Sequence, residues 1–415
     1  MKLLIITQYF PPEMGAPQAR LYELAKRLQG MGHEITVLTA IPNYPTGKIF
    51  DGYKWKLRKT EITNGIRIFR TCLYPSKSSR IFPRLLSYLS FGISSLLLGV
   101  WGIGPQDVVL IESPPLFLMP FALIASKIVR GKAVMMVSDI WPDIIIRMGH
   151  ASPASVSVKA MLWLENFSYN HSYAVALTNP GAWQQIRERF PRLKNPTVIS
   201  NGVDTTMFKP DLRDDNVRAR YGAGPNDFLV GYCGLHGLAQ GLDVIIEAAD
   251  KLKENKNIKF IMIGEGPTKD DLRKLAAKKN LANLTFYDRC QKKDMPAILA
   301  SLDVSLVTLS GRFPGTMPSK IYEALASGTP PIVAKGCEGE SLVTQFGTGR
   351  CYEPGDAEEM ATVIRELASD RKVLLDLKKK CIALAGRFDR GVIAERTNAI
   401  LTAIAEGKEL PEVKW

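Results

Sequence analysis

Short apolar runs alternating with stretches of helical spacing set the pattern from the first residues. Leu3–Ile6 is an unbroken apolar run, too short for a helix, so Lys2–Thr7 is predicted to be a buried strand. A loop carrying Pro11, Pro12, Gly15 and Pro17 follows, and Leu21, Leu24, Ala25 and Leu28 then recur on one face of a helix that Gly32 ends. Glu34–Thr39 reads as a second strand. Strand, loop, helix and strand in this order form the parallel βαβ unit that opens a doubly wound sheet.

Further strands are predicted at Val108–Ile111, Ala133–Val137, Ala174–Leu177 and Thr197–Ile199. The alternation then restarts: a strand at Phe228–Tyr232, a Gly-rich turn, a helix over Leu242–Leu252, and strands at Lys259–Ile263, Leu284–Tyr287, Val304–Val307 and Pro331–Val333. Pro210, the acidic stretch Asp211–Asp215 and Gly222–Pro225 mark Asn201–Asn226 as a connection. The expected fold class is α/β, with two Rossmann-like domains whose parallel sheets turn their strand ends toward a central cleft, where such sheets bind ligands. The first domain is expected over residues 1–205 and the second over 206–385, with a C-terminal helix within 386–415 packing back onto the first.

Composition supports a globular chain: of 415 residues, 46% are hydrophobic and 23% charged, without repeats or low-complexity tracts, which excludes disordered and solenoid classes. Charge is uneven. Residues 1–200 hold 23 Lys and Arg against 11 Asp and Glu, whereas residues 201–415 hold 31 against 30. One domain is therefore expected to face something anionic, such as lipid headgroups, phosphorylated substrate or nucleic acid, with simple solubility as the plain alternative. Leu85–Gly104 carries no charge but is diluted by four serines and four glycines. With Lys77, Arg80 and Arg84 at its leading end it reads as a helix partly buried in the first domain and touching a bilayer, rather than a span. The six cysteines are scattered with no Cys-x-x-Cys pair, so neither a disulfide framework nor a zinc site is signalled. Leu3–Ile6 is too short for a signal peptide. The expected location is cytoplasmic, peripherally on the inner face of the cell membrane.

Candidate chemistry concentrates at Gly315–Ala334, GTMPSKIYEALASGTPPIVA, where Pro318 and Ser319 are predicted to begin a helix that Gly328 ends. A helix N-terminus favours an anion, Lys320 adds a positive charge, and Glu323 can accept both hydroxyls of a ribose. A capped surface helix is the plain alternative. This block, together with Phe228–Gly241, Gly264-Glu265-Gly266-Pro267, Asn201-Gly202-Val203-Asp204 and Tyr9–Gly15, resembles the retaining family-four glycosyltransferases of the GT-B fold over almost the whole chain. Thr39–Tyr53 (TAIPNYPTGKIFDGY), Ser138–Asp143 (SDIWPD) and Pro318-Ser319-Lys320 look like the subgroup that assembles O-antigens, capsules and exopolysaccharides, often with amino-sugar donors.

The resemblance implies an enzyme that moves a sugar, an N-acetylated amino sugar by subgroup, from a nucleotide diphosphate, UDP by expectation, to a lipid-linked saccharide. The implied donor-binding residues are Gly15, Gly234, Gly237, Gly241, Gly264, Arg289, Ser319, Lys320 and Glu323. Asp139 and Lys320 are the expected catalytic residues, Asp139 because it falls where the fold brings a polar group beside the acceptor hydroxyl. Two departures stand out. The first Glu of the family's Glu, seven residues, Glu signature falls on Gly315, which leaves Phe313–Met317 to supply backbone contacts. The Arg and Lys that the family places against the diphosphate are Leu235 and Gln240 here, so Lys320, or Arg312, is left to carry that charge. His236 is readable as an acid but more simply as polar packing.

Such transferases react on the donor's front face, with the departing phosphate oxygen receiving the acceptor proton, so the protein supplies mainly positioning and electrostatics. With no Asp-x-Asp and no paired histidines among His33, His150, His171 and His236, no metal or other cofactor is expected. An anionic membrane surface is the expected further partner, and nucleic acid is not. A nucleotide-sugar epimerase of the same architecture, a catalytically dead nucleotide-sugar sensor and a basic nucleic-acid binder are the alternatives.

Overall fold

A computed structural model describes residues 1–411 except 14, 79–80, 144–145, 147–151 and 192. Arg80 and His150 therefore lie outside the described residues. The chain divides into two compact units, Met1–Asn201 with Gly391–Trp415, and Gly202–Arg390.

The first unit runs β1 (Lys2–Ile6), α1 (Ala16–Gly30), β2 (Glu34–Ala40), β3 (Arg58–Thr63), β4 (Ile66–Thr71), α2 (Ile81–Ser94), β5 (Val108–Ser113), α3 (Met119–Ile128), β6 (Lys132–Val137), α4 (Val156–His171), β7 (Ala174–Leu177), α5 (Pro180–Arg189) and β8 (Pro196–Val198). Its sheet has the order β3-β4-β2-β1-β5-β6-β7-β8, parallel throughout except for the β3–β4 pair. Leu3 and Ile5 pack with Leu21, Leu24 and Leu28 of α1 and with Ile400, Leu401 and Ile404 of the last helix, while Leu4 and Ile6 pack with Phe91, Leu118 and Leu123. Burial on both faces is why the strand reads as an unbroken apolar run, each such side chain contributing about 1.5–3 kcal/mol.

The second unit runs α6 (Asp215–Arg220), β9 (Phe228–Cys233), α7 (Asp243–Lys251), β10 (Ile258–Ile263), α8 (Lys269–Lys278), β11 (Leu284–Tyr287), α9 (Met295–Ser301), β12 (Val304–Val307), α10 (Lys320–Ala326), β13 (Pro331–Ala334), α11 (Glu338–Phe346), β14 (Arg350–Tyr352), α12 (Ala357–Ser369) and α13 (Arg371–Ala385). Its sheet, β11-β10-β9-β12-β13-β14, is wholly parallel. The last helix, α14 (Arg390–Glu406), joins the first unit from Gly391 onward.

Two features differ from what the apolar runs announce. The β3–β4 hairpin has no apolar run in β3, because Arg58–Thr63 is a largely exposed edge strand. Its sequence signal is Asn64-Gly65, both at positive φ (50 and 79), as a two-residue type I′ turn requires. Leu85–Gly104 splits into the end of α2, a single π turn over Ser95–Gly99 and a glycine-bearing loop. Its packing is partly inverted, although Tyr88, Phe91 and Val100 are buried. Ser87, Ser94, Ser95, Gly92 and Gly99 lie against the protein, the serines 94 and 95 donating to the Cys72 and Gly92 carbonyls. Phe82, Leu86, Ile93, Leu97 and Trp101 are exposed, Leu97 at 67% and Trp101 at 58%. Among the described residues no helix is long and apolar enough to cross a membrane.

Candidate active site

In the second unit the site residues collect at the C-terminal ends of β9, β10, β12 and β13. β9 runs into Gly234 and β10 into Gly264, and the two turns interlock: a Cβ on Gly264 would sit 1.8 Å from the Gly234 carbonyl oxygen, so only glycine fits. Behind them His236 is fully buried, its backbone N–H donating to Glu265 and its carbonyl accepting from Thr268. Neither ring nitrogen has a hydrogen-bond partner, and burial, with Lys269 and Lys320 adding to it, lowers its pKa to about 4. The imidazole is neutral at neutral pH, which fits packing rather than acid catalysis.

Lys320 crosses from the start of α10 to this turn. Its Nζ lies 3.8 Å from the Tyr232 ring centroid, where a Cβ on Gly234 would meet it at 2.3 Å. Among the described residues no carboxylate pairs with it, and burial lowers its pKa to about 8 against the opposing pull of Cys233 and Glu323. Glu323, one turn along α10, is half-buried, and its carboxylate has no hydrogen-bonded partner among the described residues; burial raises its pKa, offset by Arg390, Lys292 and Lys320. A cation resting on an aromatic face and a carboxylate without a donor are two open valences on one short helix.

Other predicted site residues fall around this pair or away from it. Ser319 precedes α10 but its hydroxyl makes no cap, and the Ile321 and Tyr322 amides already donate to Pro318 and Ser319, so α10 offers fewer free N–H groups than its sequence suggests. Gly237 and Gly241 flank a 3-10 turn over Leu238–Gln240 that presents Leu235 and Leu238 to solvent. Gly241, at φ +55, holds this turn against Ser310, where a Cβ would meet the backbone at 2.7 Å. Arg289 is exposed at the end of the outer strand β11. Arg312 donates to Glu353 at 2.6 Å and is thereby engaged elsewhere.

The first unit gathers a different cluster at its strand ends. Arg20 donates to Asn201 at 2.6 Å, to Glu112 at 2.5 Å and to Ser138 at 2.8 Å, and Ser138 also donates to Glu112. Glu112 is buried, its Oε2 has no partner, and burial raises its pKa against Arg20. Asp139, next along from Ser138, is likewise raised by burial, with Arg20 opposing. Two carboxylates thus share one guanidinium. Asp143 is not free: Arg189 and Gln185 donate to it, and Arg189 also grips the buried Glu165, whose pKa burial pushes up to about 8. Gly15 opens α1 with φ 177, an extended conformation open to any residue. Glu13, beside it, accepts the Phe10, Asn43 and Tyr44 amides and so ties the β1 and β2 exit loops together.

Arg20, Glu112 and Glu13 were missed as site-shaping residues by pattern reading. Glu112 had a signal, being a carboxylate that closes the apolar run of β5. Among the described residues no group of three or more His, Cys, Asp or Glu is arranged to hold a metal ion.

Two doubly wound α/β units with open polar groups at their strand ends define a protein of the class that binds ligands there. Residues 15–202 match the family model described as a glycosyl transferase 4-like domain, and residues 214–383 that of glycosyl transferases group 1. The chain belongs to the family-four glycosyltransferases of GT-B fold. It is 26% identical over 376 residues to WcaI of Escherichia coli (strain K12), named for glycosyl transfer in colanic acid biosynthesis, covering 88% of this chain and 92% of that one. WbjE of Pseudomonas aeruginosa, named as a glycosyltransferase, is 27% identical over 63% of this chain and 66% of its own length. The solved structure of Anabaena Alr3699/HepE in complex with UDP and glucose superposes with a TM-score of 0.70 at 19% identity, covering 97% of this chain and all of that one.

Proposed function

We propose that this glycosyltransferase retains anomeric configuration and moves an N-acetylated amino sugar from a UDP-linked donor to a lipid-linked saccharide in the assembly of an O-antigen, capsule or exopolysaccharide. The observation that carries the reading is the unpaired Lys320 ammonium on Tyr232, beside Gly234 and one turn from Glu323. A nucleoside diphosphate supplies what this pair lacks: anionic oxygens for Lys320 and ribose hydroxyls for Glu323. UDP in the HepE complex and the naming of WcaI support the donor and pathway class.

In this reading the acceptor oxygen bonds the anomeric carbon as the bond from that carbon to the diphosphate breaks. The electron pair leaves with the nucleoside diphosphate, and the acceptor proton passes to the departing phosphate oxygen on the same face. Lys320 stabilises the departing charge, so the reaction proceeds without a divalent metal, and Asp139 accepts a hydrogen bond from the acceptor hydroxyl. The test is a nucleotide-sugar screen by thermal stabilisation, followed by turnover with the donor found and NMR of the product anomer. Absence of stabilisation by UDP-sugars, or an inverted product, overturns the reading.

We further propose that the first unit rests on the cytoplasmic face of an anionic membrane. The outward Phe82, Leu86, Ile93, Leu97 and Trp101 present apolar bulk, and Arg58 donates to the Trp101 carbonyl at 2.6 Å, linking this face to the β3 edge beside Trp55, itself 98% exposed. Exposed Lys56, Arg84, Lys127 and Arg130 supply headgroup attraction. Co-sedimentation with phosphatidylglycerol vesicles should be strong at low salt, weaker at high salt, and lost in Leu97→Glu with Trp101→Glu. Indifference to anionic vesicles at low ionic strength sinks this proposal.

A further inference from the structure

The loop between β12 and α10 is held by a carboxylate from the following crossover. Glu338 opens α11, and its backbone N–H donates to the Thr316 carbonyl at 2.9 Å while its Oε1 accepts the Gly315 N–H at 3.2 Å. Phe313 and Met317 are buried at either end of the same segment. Only Oε1 of the carboxylate is engaged; its second oxygen takes no hydrogen bond among the described residues. Tyr322, two positions past Lys320, has a buried hydroxyl without a partner among the described residues, and Glu338 is the charge that acts on it. Burial raises the Glu338 pKa, the Gly315 amide opposing and Glu340 adding. A half-buried carboxylate with one oxygen fixed and one open therefore stands beside the helix that carries Lys320 and Glu323.

We infer that Glu338 recognises the sugar ring of the donor, its open oxygen accepting hydrogen bonds from ring hydroxyls. The inference rests on the donor-site reading above. If Lys320 meets the diphosphate and Glu323 the ribose, the sugar extends from the phosphate remote from the ribose. Glu338 lies beside the start of α10: a Cβ on Gly339, the next residue, would meet Ile321 Cδ1 at 2.3 Å, and Ile321 follows Lys320 directly. Gly315 brings no side chain to this place, and the polar group beside it comes from the next crossover. An ionised carboxylate is acceptor-only and spans two neighbouring hydroxyls, and its charge favours the positive character that develops at the sugar as the diphosphate departs.

Titration calorimetry separates this role from loop support. The nucleoside diphosphate that stabilises the wild type most among UDP, GDP and ADP is compared with a sugar ester of the same nucleotide, in wild type, Glu338→Gln and Glu338→Ala. Glu338→Gln keeps an acceptor for the Gly315 amide, so its nucleoside diphosphate affinity should stay within about twofold while its sugar-ester affinity falls about tenfold or more. Glu338→Ala should lose at least as much sugar affinity. Wild-type affinity for the sugar ester in Glu338→Gln, or an equal fall for both ligands, overturns the inference while leaving the donor site standing. Failure of the wild type to bind any of the three nucleotides overturns the donor-site reading itself, and the inference with it.

Discussion

The two strand-end clusters solve opposite electrostatic problems. In the second unit a lysine lies on an aromatic ring with no carboxylate paired to it among the described residues, and burial makes its charge costly until an anion arrives. In the first unit Arg20 pairs with Glu112, and burial raises the pKa of both Glu112 and Asp139, so carboxylate groups outnumber the one guanidinium beside them. The first arrangement suits a ligand that brings negative charge; the second suits a neutral ligand that donates hydrogen bonds. Under the proposed function, the sign of each unfilled polar group matches one half of a two-substrate reaction.

The sharpest way to break this contrast is to remove the lysine. Lys320→Ala should lower kcat by roughly 10², or about 2.7 kcal/mol of transition-state stabilisation, with a smaller loss of donor affinity. Lys320→Arg should restore only part, because the bulkier planar head cannot occupy the same point-charge position against the diphosphate. Near-normal turnover in Lys320→Ala would move the charge to Arg312 or a metal. On the other side, Asp139→Asn should lower kcat by roughly tenfold or more without changing donor affinity; a parallel loss of donor binding would erase the division of roles.

Glu323→Gln should weaken the nucleoside diphosphate by about tenfold, since one charge-assisted acceptor for the ribose is lost. Unchanged affinity removes Glu323 from the site. The pH dependence follows from the lowered lysine pKa. Below about 8 the free enzyme holds Lys320 protonated, so kcat/KM should fall as pH rises through about 8. Saturating donor favours the ammonium and should move the fall in kcat to higher pH. A kcat/KM that is flat to pH 9.5 contradicts a catalytic ammonium. The smallest expected effect is none at all: EDTA should leave turnover unchanged, and a loss restored by magnesium or manganese refutes reaction without metal.

Much of the fold could be read from the chain because parallel strands covered on both faces leave unbroken apolar runs, as at Leu3–Ile6 and Phe228–Cys233. The β3 edge could not be read that way, since Arg58–Thr63 has a solvent face, and only Asn64-Gly65 marks it. At the site, Lys320 and Glu323 are legible because one helical turn joins them. Glu338 and Gly315 are 23 residues apart and meet only through the β13 crossover, so no local pattern pairs them. Arg20, Glu112 and Ser138 likewise meet only once α1 and the ends of β5 and β6 are assembled. Ser319 misled in the opposite sense: its residue type suits a cap, but its backbone sits in the helical region and its hydroxyl does not reach an amide.

The partly inverted packing of α2 and the π turn has a consequence for mutational tolerance. Ordinarily the large apolar positions of a helix are the fragile ones. Here small positions are fragile alongside the buried Phe91: a Cβ on Gly92 would lie 2.4 Å from the Phe121 ring, and one on Gly99 2.5 Å from Leu38. Leu97 and Trp101 touch solvent and can be exchanged for polar residues with little effect on folding. Whatever the outer side binds is therefore separable from what holds the first unit together. The packed side and the exposed apolar side of this segment can therefore be altered independently of one another.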